Sequence, residues 1–256
     1  MNRLQKPVWY FAGFGLAGLL SVLLLPLCGY ILIFHDRVPF LRVGVMFGLC
    51  IGVCLYVYLN LHSFWKITLF ISACAAAFYL AIFSGFFIYS HVHTFDSLNQ
   101  GRWGPGPDVF FIAGWVGAFV VLTSAQLLLL PREKLWRLVG ISAAWSLTGG
   151  LLGMLGHAAN DLRTQLGAHV GWVNVYGGDM PLLTVWQIGV AMVLALMMQV
   201  KRNSLAIQQP DTTSAADSGR SLSVFGWIFF AVVFVLLLYS ITWEIRGDHS
   251  PGVPGR

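Results

Sequence analysis

The chain has 256 residues, of which 57% are hydrophobic and only 10% are charged, and its formal net charge is +5. Soluble domains carry about 25% charged residues, so this composition excludes an ordinary water-soluble core. The Lys and Arg residues lie mainly at the ends of apolar runs rather than in one patch, which argues against nucleic-acid binding and indicates contact with a lipid bilayer.

Apolar segments long enough to cross a membrane follow one another along the chain. The hydrocarbon core of a bilayer requires about 20 apolar residues per helix. The segments that meet this length are 8–34, 39–61, 65–91, 109–130, 135–157, 181–200 and 223–243. The sequence therefore predicts an all-α fold, in which residues 1–256 form a single membrane domain. This domain is a polytopic transmembrane helix bundle of about seven helices.

The distribution of Lys and Arg gives the predicted orientation. With the N-terminus in the cytoplasm, the inner segments hold nine Lys and Arg residues and the outer segments hold six. This bias follows the positive-inside rule. The C-terminus is then outside, and the polar segment 201–222 is predicted to be a flexible cytoplasmic linker. We expect an integral protein of the cytoplasmic, or plasma, membrane.

Glycines recur at four-residue spacing in two of the predicted helices. They are Gly44, Gly48 and Gly52 in the second helix, and Gly149 and Gly153 in the fifth. Such stripes of small residues let two helix backbones approach closely. We expect them to pack within this bundle; the alternative is a contact with another membrane subunit. Leu55 lies off the stripe and is expected to face lipid, so Gly48→Leu should destabilise the bundle more than Leu55→Ala.

Charged groups are nearly absent from the predicted membrane interior. Every Asp and Glu falls in a predicted loop or tail, and Arg42 and Lys66 lie near helix ends, where long side chains reach the interface. Proton or sodium coupling usually needs a carboxylate or histidine relay, and neither occurs at mid-depth. The segment 223–243 has no lysine for a retinal Schiff base, and no nucleotide-binding or hydrolase motif occurs.

One group of residues has the chemistry of a ligand site. His91 and His93 follow the third predicted helix, and His157 and Asp161 follow the fifth, both on the predicted outer side. If the fifth helix continues for one turn, His157 and Asp161 share a face. Together the four side chains suit Zn²⁺, Cu²⁺ or Fe²⁺. Haem bound between His91 and His157 is a second interpretation. The simplest alternative is that these histidines only line the membrane interface.

Three functions are compatible with these features. The first is a non-catalytic subunit or scaffold of a membrane complex, which the scarcity of buried charge and the glycine stripes favour. The second is a membrane-embedded metal- or haem-dependent protein that uses the outer histidines. The third is a passive transporter of a neutral or lipidic solute. The sequence names no substrate for any of them.

The predicted topology can be tested with reporter fusions. Because an inner N-terminus and seven spans put consecutive connections on opposite sides, we expect a fusion within 209–222 to report the cytoplasm and a fusion after Arg256 to report the outside. A cysteine-accessibility scan of the same positions gives an independent measurement. If both positions report the same side, the seven-span topology is wrong.

Overall fold

The computed structural model describes residues 5–25, 39–59, 63–92, 106–129, 135–165 and 180–208. These residues form helices and no strands. The helices are α1 (Gln5–Leu23), α2 (Pro39–Leu59), α3 (Phe64–Val92), α4 (Pro107–Leu129), α5 (Leu135–Gln165) and α6 (Met180–Gln208). The all-α prediction is thus confirmed for this part of the chain. The predicted span 223–243 and residues 26–34 of the first predicted span lie outside it.

Four of the helices are long and apolar enough to cross a membrane. Their apolar stretches are Phe64–Tyr89, Pro107–Leu128, Trp136–Leu162 and Pro181–Val200. The helices α1 and α2 contribute the shorter apolar stretches Trp9–Leu23 and Leu41–Val57. These helices indicate a membrane protein whose lipid-facing surface is helical, while the count of about seven spans stays a prediction.

Two helices continue beyond their predicted ends. The helix α5 runs to Gln165 rather than to residue 157, and α6 runs to Gln208 rather than to residue 200. The predicted ends mark where apolar residues stop, but a helix ends where the chain meets a breaker. No Pro or Gly occurs between 158 and 165 or between 201 and 208. The predicted linker 201–222 therefore begins with helix, and its remainder lies outside the described residues.

Each helix packs antiparallel against the next one along the chain, and α6 packs against α1. The direction follows from the residue pairs in contact. Gly44 of α2 lies against Ala75 of α3, whereas Gly52 lies against Ile67, so the two helices run in opposite directions. The helices α5 and α6 show the same pattern: Gly156 lies against Leu182, and Gly189 against Leu152. Alternating directions are what successive membrane crossings require.

The two glycine stripes form close backbone contacts inside this chain, as predicted. A Cβ added at Gly44 would lie 2.5 Å from the Cα of Ala75, and one at Gly48 would lie 2.8 Å from the Cα of Ile71. In α5, a Cβ at Gly153 would overlap the carbonyl oxygen of Phe110 in α4. The helices of this chain occupy these faces, so the alternative that another subunit packs on the stripes is not supported.

Three aromatic side chains meet at the centre of the bundle. Trp186 of α6 packs edge-on against Phe78 of α3, with ring centroids 5.1 Å apart, and lies 6.0 Å from the ring of Phe47 in α2. Its indole Nε1 donates a hydrogen bond to the carbonyl oxygen of Gly114 in α4, at 3.2 Å. One residue of α6 thus connects three other helices, and a buried indole N–H has its partner.

The expectation that Leu55 faces lipid is wrong. Leu55 is fully buried and lies on one face of α2 with Phe47 and Ile51, at four-residue spacing, and all three are 0% exposed. Leu55 is seven residues after Gly48 and three after Gly52, so it lies on the same broad buried side of α2 as the glycine stripe. The opposite side carries Val53, whose exposed fraction is 62%. The spacing relative to the glycines is therefore the signal that predicts the burial of Leu55.

These burials change the expected stability series in α2. Gly48→Leu should destabilise the protein strongly, because the new side chain meets the backbone of α3 rather than a side chain that can move. Leu55→Ala should cost roughly 2–5 kcal/mol, because it leaves a sealed cavity. Val53→Ala is the control and should leave the unfolding temperature nearly unchanged. Thermal unfolding in detergent measures all three, and a loss for Val53→Ala equal to that for Leu55→Ala would contradict the assignment of Leu55 to the buried side and Val53 to the exposed side of α2.

Candidate functional site

The histidine and carboxylate predicted to share a face of the fifth helix do so. Because α5 runs to Gln165, His157 and Asp161 lie one turn apart on it, and His157 Nε2 is 3.5 Å from Asp161 Oδ2. The His157 side chain is 20% exposed and that of Asp161 is 57% exposed. This pair is therefore partly accessible at the end of the bundle where α4 begins.

The neighbouring helix α4 holds the imidazole of His157 in one orientation. The ring of Phe110 stacks on it with centroids 4.4 Å apart and an angle of 17° between the planes. Asp161 approaches the Nε2 edge of the same ring. A carboxylate next to an imidazole N–H orients the ring and fixes its tautomer, as it does for metal-ligating histidines. The pair can therefore act as two ligands, or as one histidine ligand oriented by its carboxylate.

The other two residues of the predicted site lie outside the side chains that the structure describes. His91 belongs to α3, but its side chain is outside this part, as is His93. Gly85 of α3 and Gly153 of α5 each lie against the first turns of α4, so α4 stands between the two helix ends. Among the side chains described, no three His, Cys, Asp or Glu residues are grouped to hold a metal. The four-residue site stays a prediction.

The polar residues at depth form separate, local contacts. Ser21 of α1 hydrogen-bonds to the side-chain Oε1 of Gln187 in α6, and both side chains are fully buried. Gln126 Nε2 donates to Ser142 Oγ at 2.9 Å and lies 3.1 Å from Met197 Sδ. The sequence does not predict these pairings, because they depend on how α1 packs on α6 and how α4 packs on α5 and α6.

Arg42 is buried within the protein. Its side chain is only 8% exposed, and the adjacent Val43 and Gly44 are also buried, so this turn of α2 lies within the bundle. Burial of a guanidinium is costly unless the group is paired or hydrogen-bonded. The expectation that Arg42 reaches the membrane interface stays a prediction.

Trp186 is a second residue whose role the sequence did not reveal. The tryptophans at the predicted interfaces fit an aromatic belt, whereas Trp186 lies inside a predicted span. That position was the available signal, because a buried indole needs an acceptor for its N–H.

Comparison of the chain with protein-family models, with curated proteins and with solved structures found no match. The function is therefore inferred from the geometry of the helices and of the His157–Asp161 pair.

Metal analysis can test the predicted outer site. If His91, His93, His157 and Asp161 converge, the protein purified from its native membrane should bind one Zn²⁺ or Cu²⁺, because their nitrogen and oxygen donors suit these ions. His157→Ala should abolish binding, and His62→Ala, on the predicted inner side, should not. Elemental analysis and competition with a chelator measure both. A native preparation with metal content near zero and no haem absorbance would end the proposal.

Proposed function

We propose that this chain is a seven-span protein of the cytoplasmic membrane, with its N-terminus inside and C-terminus outside. In this proposal it acts as a non-catalytic subunit or scaffold of a larger membrane complex. The observation that carries the proposal is the filled centre of the bundle. Trp186, Phe47 and Phe78 close the space between α2, α3 and α6. A bundle filled in this way provides rigid surfaces rather than a passage.

The arrangement of the buried polar groups supports a structural role over transport. A carrier for a neutral solute needs polar groups that follow one another through the membrane. Here the pair Ser21–Gln187 joins α1 to α6, whereas Gln126–Ser142 joins α4 to α5. Leu194 and Val190 of α6, both buried and apolar, come between Gln187 and Met197 along the helix. Within the described helices, each polar pair thus joins two neighbouring helices, and the two pairs do not form a continuous polar path.

The outward side of α5 has the features expected of a contact with another subunit. Gly140 and Ala144 are both exposed, and they are four residues apart. A Cβ added at Gly140 would meet no atom within 4 Å, unlike one at Gly149, which would overlap Ala118. Glycine within a helix costs about 1 kcal/mol relative to alanine, and packing inside this chain does not offset that cost at Gly140. Close packing of a partner helix on this side would offset the cost.

A second candidate is a metal- or haem-dependent protein. The observation that favours it is the short distance between His157 and Asp161, together with the fixed orientation of the imidazole on Phe110. Such a site would need His91 or His93 as a further ligand. This function would place the active group at the outer end of the bundle, and the metal analysis above tests it independently of any partner.

Purification in mild detergent from native membranes tests the subunit role. We expect a particle larger than the 28.2 kDa chain, containing a second protein at fixed stoichiometry. Gly140→Leu should release that protein without lowering the unfolding temperature, because the added side chain faces outward. Ala12→Leu is the matched control on the exposed side of α1 and should keep the partner. A particle that contains this chain alone would overturn the proposal.

A further inference from the structure

Two stretches of the bundle are buried in every direction around the helix axis. In α3, residues 73–79 are all at most 6% exposed, and in α4 the same holds for residues 120–128. An α-helix turns once in 3.6 residues, so each stretch presents side chains to all sides. Contacts with helices on one side alone cannot bury such a stretch. Something must also cover the outward face that α3 and α4 share.

The same face of α3 becomes exposed farther along the helix. Phe83 is 54% exposed, although it lies one turn after Tyr79 (6%) and two turns after Ala76 (0%). Residues four and seven apart lie on one side of a helix, so rotation of the helix does not explain the change. The cover therefore ends near Tyr79 and extends toward the end of α3 that carries Phe64.

The six described helices do not supply this cover. The helix α3 packs mainly against α2 and α4, and the indole of Trp186 fills its inner side. The helix α4 packs mainly against α3 and α5, with a smaller contact to α6. None of these helices packs extensively on both α3 and α4 from outside. The outward face thus needs a further apolar segment that lies along both helices.

We propose that the segment 223–243 covers this face by packing across α3 and α4. It contains no charged residue, and its 21 residues would make a helix about 32 Å long, enough to span a bilayer. The helix α6 ends, at Gln208, on the same side of the bundle as the covered stretches. The chain therefore reaches 223–243 from that side. This inference rests on the seven-span architecture proposed above.

The surface of α3 in the covered stretch suits close helix packing. Ala76 lies on the outward face and Ala73 lies one turn before it, whereas Ala75 packs on Gly44 of α2. Small side chains let a neighbouring helix approach its backbone, and dispersion contacts then hold the helices together in lipid. A bulky apolar segment such as 223–243, rich in Phe, Val and Leu, is complementary to that surface.

Disulfide cross-linking in the full chain tests the proposal. The native cysteines are replaced by alanine, and Ala76→Cys is combined in turn with Val233→Cys, Phe234→Cys, Val235→Cys and Leu236→Cys. These four positions cover one helical turn at the depth of Ala76. A protease site placed within 209–222 lets a cross-link within one chain be read on a gel. We expect at least one of the four pairs to form an intrachain disulfide on oxidation in the membrane.

Two control pairs make the outcome decisive. Gly85→Cys with Ala113→Cys should oxidise, because a Cβ at Gly85 lies 3.5 Å from the Cβ of Ala113, within the range of a disulfide. Leu147→Cys lies at a similar depth on the exposed side of α5 and should form no bond with the same four positions. The proposal is overturned if the first control oxidises while Ala76→Cys stays unlinked or links only between two chains. It is also overturned if Ala76→Cys gives less intrachain disulfide than Leu147→Cys.

The result can be separated from the fate of the seven-span architecture. The reporter fusions establish whether the chain crosses the membrane between 209–222 and Arg256. An outer C-terminus without a cross-link to Ala76→Cys would reject only this packing. An inner C-terminus would reject the span itself.

Discussion

Close contact between helix backbones is the constraint on which this bundle depends. In lipid, moving an apolar side chain from the hydrocarbon into a helix contact lowers the free energy only slightly. Helices therefore associate through dispersion contacts and hydrogen bonds. Glycine provides these contacts where α2 meets α3, at Gly44 and Gly48, and where α4 meets α5, at Gly114 and Gly149. Each pair is held at a distance that no larger residue permits. Gly18 brings α1 against the backbone of α6 in the same way, and Gly156 brings α5 against α6.

The indole of Trp186 fills the space at the centre of the bundle between the closely packed helices. With α3 and α4 held close to their neighbours, the space between them accepts one large ring from α6, and Gly117 leaves room for it because a Cβ there would lie 3.0 Å from Trp186 Cζ2. The hydrogen bond from Trp186 Nε1 to Gly114 O then fixes the depth of α6 relative to α4. The same glycine thus serves the contact with α5 and the contact with α6. A single side chain of α6 thereby connects α2, α3 and α4.

The sequence predicted the helices and the glycine contacts because both depend on local spacing. Four-residue repeats identify a helix face without knowledge of its partner, which is why Gly44, Gly48 and Gly153 were interpreted correctly. The burial of Leu55 follows from the same spacing, since Leu55 is seven residues after Gly48 and three after Gly52 and shares their side of α2. The ends of α5 and α6 could not be predicted from hydrophobicity, because its loss ends a membrane crossing but does not end a helix.

The outer histidines show where sequence reasoning about a site stops. The pairing of His157 with Asp161 follows from spacing along one helix, but any meeting with His91 depends on α4, which lies between α3 and α5. Both of these helices contact the first turns of α4, through Gly85 and Gly153. The first turn of α4 carries Asp108, whose carboxylate offsets the positive end of the helix dipole, and the Val109 N–H there donates to Gly106 O at 3.1 Å. A metal ion at His157 would therefore require a ligand from α3 to approach across the start of α4, which the spacing of residues along α5 alone does not predict.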